Sequence, residues 1–284
     1  MSAHAPSGGG ARPEASAPGH YGTAVFPPDR AGEDERIDLG ALAYDDVTLA
    51  RLRSLGAGPG RRCLELGAGT GSVARRLLRE AGVASVLAVD RDVRFLAARP
   101  QPGLDTLEAD ITDPAFDPGR FHLVHARFVL MHLPARQHLI NSFRELLLPG
   151  GVLVLSDAID LTSATAPATP YTRAMGAMWQ GLRKTIGTDV SWTPRYPQLL
   201  RTAGLEGVAA EIHVPPLTPG SPISRFWAGT WDRASGAMTA TGLVDDAAID
   251  AAVRYLDSPD CADLSPGMIT AWGRHPGTEG PPQA

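Results

Sequence analysis

The sequence predicts an α/β fold built on a doubly wound, mostly parallel sheet. Short apolar runs alternate with helical stretches from Arg62 onward, and a glycine-rich loop joins the first run to the helix after it. The crossovers between runs are long enough to hold helices, which is what parallel neighbours need. A length of 284 residues suffices for one sizeable core. With 43% hydrophobic and 20% charged residues, the composition is that of a globular, soluble chain. No apolar run approaches the roughly 18–20 residues of a membrane span.

Taken in order, residues 1–18 are small, polar and rich in Pro and Gly, and are expected to be disordered, as are residues 277–284. Residues 19–276 are expected to form a single domain. Between Glu33 and Leu55 apolar residues recur at helical spacing, which predicts one or two helices leading into the core. Arg62 to Leu66 is the first strand, and a helix follows from about Ser72 to Glu80. Val86 to Val89 is the second strand, with a helix near Asp92 to Ala98. Asp105 to Ala109 is a weaker third strand. Phe121 to Ala126 is the fourth, with a helix over Ala135 to Leu148. Pro149-Gly150-Gly151 reads as a turn before a fifth strand, Val152 to Ser156. A helix near Pro197–Ala203 and strands at Val208–Val214 and Met268–Trp272 complete the alternation.

The segment Glu65-Leu66-Gly67-Ala68-Gly69-Thr70-Gly71-Ser72 carries the strongest functional signal. Glycines between a strand and a helix let the backbone turn tightly and approach a ligand. The third glycine comes one residue too early for a dinucleotide fingerprint, and Glu65 is an awkward neighbour for a pyrophosphate. A carboxylate there suits a ligand with a positive charge. Asp90 ends the second strand, where it can accept from both hydroxyls of a ribose. Asp110 follows the third strand, where it can accept from an exocyclic amine while a neighbouring N–H donates to a ring nitrogen. Three acids at one edge of a parallel sheet converge on one crevice.

Taken together, E-L-G-A-G-T-G, A-V-D, E-A-D-I, F-H-L-V-H-A-R-F-V-L-M-H-L-P and L-L-P-G-G-V-L-V-L-S-D resemble the class I S-adenosylmethionine-dependent methyltransferases, in the branch acting on small natural products. The resemblance runs from about Tyr21 to Pro276. It implies a seven-stranded Rossmann-like sheet whose last strand is antiparallel, and S-adenosyl-L-methionine as cofactor. By position it implies that Glu65 and the backbone of Gly67, Ala68, Gly69 and Gly71 hold the methionine part. Asp90, with Arg91 beside it, would hold the ribose, and Asp110 and the Ile111 amide the adenine. The Arg127 backbone would lie near the amino group. Tyr21, Glu33 and Arg36 resemble the segment that closes over the cofactor in this branch.

Relatives that methylate hydroxyls often carry a His-His pair after the fourth strand and an Asp after the fifth. Here those places hold Met131, His132 and Asp157. His132 is a candidate general base, with Asp157 as its orienter or a substrate contact. Transfer to nitrogen or to a nucleophilic carbon needs no strong base, and His132 is then structural. His125, inside the fourth strand, reads as a satisfied core histidine.

Two segments interrupt the alternation, about 160–193 and 217–262, and read as helical lid insertions. They supply Tyr171, Met175, Trp179, Phe226, Trp227 and Trp231, which read singly first as the core of a cap and, compatibly with that, as the wall of an apolar substrate pocket.

A net charge of −5, from 26 basic and 31 acidic residues, argues against nucleic acid as a partner. The start of the chain lacks the basic and apolar regions of a secretory signal. The two cysteines, Cys63 and Cys261, lack zinc-type spacing. A cytoplasmic location is expected, with a small-molecule substrate, no membrane partner and no metal; a homodimer is possible. Lys184 is the sole lysine, which disfavours Schiff-base chemistry. The expected function is methyl transfer to oxygen, nitrogen or carbon of a small, mainly apolar secondary metabolite. The alternative is a methyltransferase-like cyclase or rearrangement enzyme that binds the cofactor without using its methyl group.

Overall fold

A computed structural model describes residues 21–161, 163 and 165–277. The tails expected to be disordered, residues 1–18 and nearly all of 277–284, lie outside the described residues. Seven strands form one sheet: β1 (Arg62–Leu66), β2 (Ser85–Asp90), β3 (Leu104–Glu108), β4 (Phe121–Arg127), β5 (Leu147–Ile159), β6 (Glu206–His213) and β7 (Gly267–Arg274), in the order β3-β2-β1-β4-β5-β7-β6. Strand β7 runs antiparallel between β5 and β6, and the pairings among β1 to β5 are parallel. The chain winds outward from β1 to β3 and then returns to place β4 on the other side of β1. A crevice opens at such a reversal, beyond the carboxyl ends of the strands.

Alternate residues of the central strands feed opposite faces, as the two-residue repeat of a strand requires. Leu64, Leu66, Val124, Leu153 and Leu155 pack with Leu139, Ile140 and Phe143 of α4 (Arg136–Glu145) and Leu200 of α6 (Tyr196–Thr202). Cys63, Val86, Leu123 and Val154 pack on the other face with Leu49 and Leu52 of α1 (Glu33–Ser54) and Val73 and Ala74 of α2 (Ser72–Arg76). Both faces are covered, which is why these strands read as nearly continuous apolar runs. A short α3 (Arg94–Ala97) follows β2.

The two insertions form a third layer with its own core. Helices α5 (Pro170–Ile186), α7 (Pro222–Thr239) and α8 (Asp246–Leu256) bury Tyr171, Met175, Met178, Trp231 and Ile249 together, with Tyr44 of α1 joining them. The sequence sets their starts. Thr169 caps α5 in a reciprocal pair with Thr172, and Ser221 and Asp245 cap α7 and α8. Pro170 and Pro222 occupy the first turn, where no N–H is needed. Gly181 lets α5 and α7 touch, since a Cβ there would lie 2.5 Å from the Ala237 carbonyl oxygen.

Two expectations change in detail. The helix after β1 stays α-helical only to Arg76 and ends in one wide π turn, Leu77–Ala81, closed by left-handed Gly82. Pro149-Gly150-Gly151 does not separate α4 from β5 but lies within β5 as an irregularity. Pairing with β4 passes from Phe121↔Leu147 to Leu123↔Val152, and His275 N–H donates to Gly151 O at 2.8 Å. The segment after β7 thus continues the hydrogen bonding through the turn. No helix among the described residues is long and apolar enough to cross a membrane.

Candidate active site

The loop after β1 turns through three left-handed glycines, Gly67, Gly69 and Gly71. Their freedom is needed here. A Cβ at Gly67 would lie 2.4 Å from Val129 Cγ2, and one at Gly71 2.6 Å from Leu96 Cδ2. Asp90, at the end of β2, braces the loop by accepting from Gly69 N–H at 2.8 Å. Burial raises its pKa against the pull of these backbone N–H groups. Asp110 accepts from the Thr112 backbone at 2.8 Å and hydroxyl at 2.6 Å, and pairs with Arg91 at 2.6 Å. Its partial burial works against the charge, but Thr112 and Arg91 outweigh it and the pKa falls below the usual range.

Glu65 is buried, with its carboxylate oxygens 2.9 and 3.1 Å from His125 Nδ1. His125 is fully enclosed and serves the site only through this contact. Arg127 reaches away from the sheet to Asp45 at 2.7 Å and Thr48 at 3.0 Å, fixing α1 to the end of β4.

These groups border a cavity of about 790 Å³. At one end lie the glycine loop, Glu65, Asp90, Arg91, Asp110, Ile111 and Arg127. Over them folds the segment that starts at Tyr21. Its hydroxyl accepts from Arg36 at 2.9 Å, and its ring lies 4.6 Å from that of His132. Arg36 is buried between Glu33, at 3.0 Å from Nε, and Thr230 of α7, at 3.2 Å. Arg233 holds the other side of Glu33 at 2.7 Å. Tyr21, Glu33 and Arg36 therefore form one cluster.

His132 also borders the cavity, on a 3-10 turn (Leu130–His132) held by Arg136, which donates to the carbonyls of Leu130 at 2.8 Å and Met131 at 2.9 Å. Its Nδ1 lies 2.8 Å from the Thr188 hydroxyl. Burial, with Arg136 and Arg36 adding positive charge nearby, pushes its pKa down to about 3. The expected pairing with Asp157 is not realised. Asp157 does not border the cavity; it is buried against the Tyr196 hydroxyl, which donates to it. Burial pushes its pKa up to about 7. The reason lies in strand geometry: Asp157 sits opposite Ile269 in β5, inside the sheet rather than beyond its end.

Of the six lid residues, Trp179, Phe226 and Trp227 border the cavity. Tyr171, Met175 and Trp231 do not; they are buried in the lid core behind that wall. The helical repeat decides this, because one face of α5 meets the cavity and the adjoining face meets α7 and α8. Met178 and Leu182 are the α5 residues that join Trp179 at the wall, and Tyr44 of α1 and Phe128 join from the sheet side. Phe128 has φ +58°, an uncommon value for a side chain of this size, and follows directly on the end of β4. That position, one residue past a strand at the sheet's carboxyl edge, is the signal that marks it. Among the described residues no group of three or more His, Cys, Asp and Glu side chains is placed to hold a metal ion.

The crevice fits an adenosine bearing a sulfonium. It offers a glycine cradle that a Cβ would fill and a carboxylate at each of three strand ends, while the neighbouring Arg91 and Arg127 are engaged by Asp110 and Asp45. Comparison with known proteins agrees. A family described as "Methyltransferase domain" matches residues 42–210, more than half of the chain. The chain is 35% identical over 136 residues to "Methyltransferase str3" of Strobilurus tenacellus, covering 47% of this chain and 48% of that one, so it spans about half the length of that relative. It is 29% identical over 185 residues, 60% of its length, to 7% of "Highly reducing polyketide synthase aurA" of Calcarisporium arbuscula. Among solved structures, a Haemonchus contortus phosphoethanolamine N-methyltransferase 2 in complex with S-adenosyl-L-methionine matches with a TM-score of 0.55 at 17% identity, over 87% of this chain and 59% of that one. On its sheet order, its crevice and the family match, the chain belongs to the class I S-adenosylmethionine-dependent methyltransferases.

Proposed function

We propose that the chain methylates a small, mainly apolar metabolite at oxygen, nitrogen or carbon, using S-adenosyl-L-methionine. One observation carries this reading: a single cavity joins the glycine loop, Asp90 and Asp110 at one end to Met178, Trp179, Phe226 and Trp227 at the other. Glu65, Asp90, Asp110 and the loop backbone would hold the cofactor. When bound, it supplies a methyl carbon on a cationic sulfur that leaves readily. What remains for the protein is alignment of acceptor, carbon and sulfur in a dry space, and a positioned pair can contribute several orders of magnitude in rate.

Tyr21, Phe26, Arg36 and the lid helices border that space and would screen it from water once it is filled. His132 faces it as a neutral imidazole, anchored through Thr188; with the proton on Nδ1 and donated to Thr188, its second nitrogen is the one that accepts from an acceptor N–H or O–H. With its pKa near 3 it is a weak base. This favours acceptors that are nucleophilic without a strong base: an amine, an acidic phenol or an enol carbon. The likeness to a stretch of a polyketide synthase supports a secondary-metabolite acceptor.

Calorimetric titration with S-adenosylmethionine and with NAD tests the cofactor. Binding of the first and not the second is expected, and the reverse would sink the reading. Accumulation of S-adenosylhomocysteine on addition of a converted acceptor tests the transfer. Acceptor conversion with no such accumulation would mean a rearrangement instead.

A further inference from the structure

The far end of the cavity is walled by rings, and every polar tip on those rings is turned away from the space they enclose. Trp179 Nε1 donates to Asp160 at 2.7 Å. Trp227 Nε1 donates to the Ser265 hydroxyl at 3.0 Å. The Tyr44 hydroxyl donates to the Pro266 carbonyl at 3.2 Å. All three partners lie behind the wall, and none of Asp160, Ser265 and Pro266 borders the cavity. What these three side chains present to the cavity is therefore ring surface.

The rings stand at steep angles to one another. Trp227 is 6.1 Å from Trp179 at 78° and 4.9 Å from Phe226 at 67°. On the opposite side Phe128 meets Tyr44 at 5.2 Å and 66°. A corner of this kind offers a flat guest a face on one side and an edge on the other, the two arrangements that aromatic pairs prefer. It offers almost nothing to the hydroxyls of a sugar or to the amides of a peptide, which would lose their water without replacement. Gly40 belongs to this design. A Cβ there would press to 3.3 Å on the Phe226 ring, so the glycine lets α1 approach the wall without displacing it.

A cluster of rings also suits a cation, but the charges here oppose one. The Arg36 guanidinium already lies 5.4 Å from the Phe226 ring centroid. The two carboxylates close to the rings are already engaged: Glu33 by Arg36 and Arg233, and Asp160, behind the wall, by the Trp179 indole N–H and the Ser163 backbone N–H. The sulfonium expected at the other end would add a second positive charge. An uncharged or anionic guest fits this balance.

We propose that the acceptor is a planar aromatic or conjugated ring system without positive charge, held by stacking and edge contact in the corner formed by Trp179, Phe226 and Trp227 and recognised by flatness rather than by hydrogen bonds. This rests on the methyltransferase reading for its place in catalysis, but the ring-binding corner is tested separately.

The probes are 2-naphthol, its saturated counterpart decahydro-2-naphthol, and tetramethylammonium. They are titrated calorimetrically into the full chain, with and without S-adenosylhomocysteine. Two ring-to-ring contacts favour 2-naphthol over the saturated alcohol by about tenfold. Trp227→Leu, which keeps an apolar wall but removes the largest ring, is expected to reduce that preference to below about threefold. If Trp227→Leu lacks a cooperative thermal transition, Phe226→Leu, a partly exposed position, replaces it with the same expectation. Equal affinity for the two alcohols, absence of binding by both, tighter binding of tetramethylammonium, or an unchanged preference in the folded variant would each overturn the proposal. A chain that prefers 2-naphthol but never binds S-adenosylhomocysteine would keep the ring-binding corner and lose the methyltransferase reading instead.

Discussion

Burial holds the His132 imidazole neutral, because a charge there would give up water and face Arg136 and Arg36. Between its folded pKa of about 3 and the ordinary 6.5, an unfolded chain takes up a proton that the native one refuses. Its contribution to stability is therefore present above pH 6.5 and lost as pH falls toward 3. The His132 ring signals in an NMR titration are expected to stay constant from pH 8 to about pH 4.5; a midpoint near 6.5 would contradict the burial argument. Asp157 behaves in the opposite sense. Its folded pKa of about 7 exceeds the ordinary 3.8, so its contribution is fully present below pH 3.8 and is lost as pH rises through 7. Asp157→Asn keeps an oxygen for the Tyr196 hydroxyl and removes this penalty. Thermal unfolding should show the variant gaining on the native chain between pH 5 and pH 8, by on the order of a few kcal/mol. A difference independent of pH would show that Asp157 ionises freely in the fold.

At the level of elements, the lid depends on how closely α5 and α7 approach. In most exposed helices Gly→Ala gains about 1 kcal/mol. At Gly181 the added carbon would meet backbone, the Ala237 carbonyl, which cannot rotate aside. Overpacking of this kind costs roughly 1–3 kcal/mol. Gly181→Ala is therefore expected to lower the urea midpoint. Gly176, on the same helix with open space around it, supplies the contrast, and Gly176→Ala should raise the midpoint. If both variants shift the same way, helix propensity rather than packing governs the lid. The central strands were legible as continuous apolar runs because both their faces are covered, and the lid helices from periodicity because each is covered on a defined face. The π turn at Leu77–Ala81 and the irregularity at Gly150 were not: a helical pattern does not separate a π turn from an α turn, and the irregularity depends on how β5 pairs with β4. For the same reason the six lid candidates could not be divided in advance. A helical repeat identifies an apolar stripe, but not which neighbour covers each part of it.

Across the whole molecule, the glycine-loop end of the cavity was readable because its residues are backbone-proximal. Gly67, Asp90 and Asp110 sit at strand ends, so the order of the strands alone brings them together. The resemblance implied His132 as a base with Asp157 as its orienter or a substrate contact, yet a short turn carries one outward while the sheet continues past the other. Arg36 joins these regions. It links the Tyr21 segment, Glu33 of α1 and Thr230 of α7. Arg36→Met leaves Glu33 buried with Arg233 as its remaining partner. A loss near the lower end of roughly 3–5 kcal/mol in chemical denaturation is expected. Weaker binding of S-adenosylhomocysteine should accompany it as the Tyr21 segment loosens. Native-like stability would mean that Arg233 alone satisfies Glu33.

That guanidinium touches the cover of one ligand and the wall of the other. Filling either compartment must bias the same contact, and thermodynamic linkage then requires reciprocity. By whatever factor a bound adenosyl compound tightened the hold on its companion, the companion would tighten the hold on the adenosyl compound to the same degree.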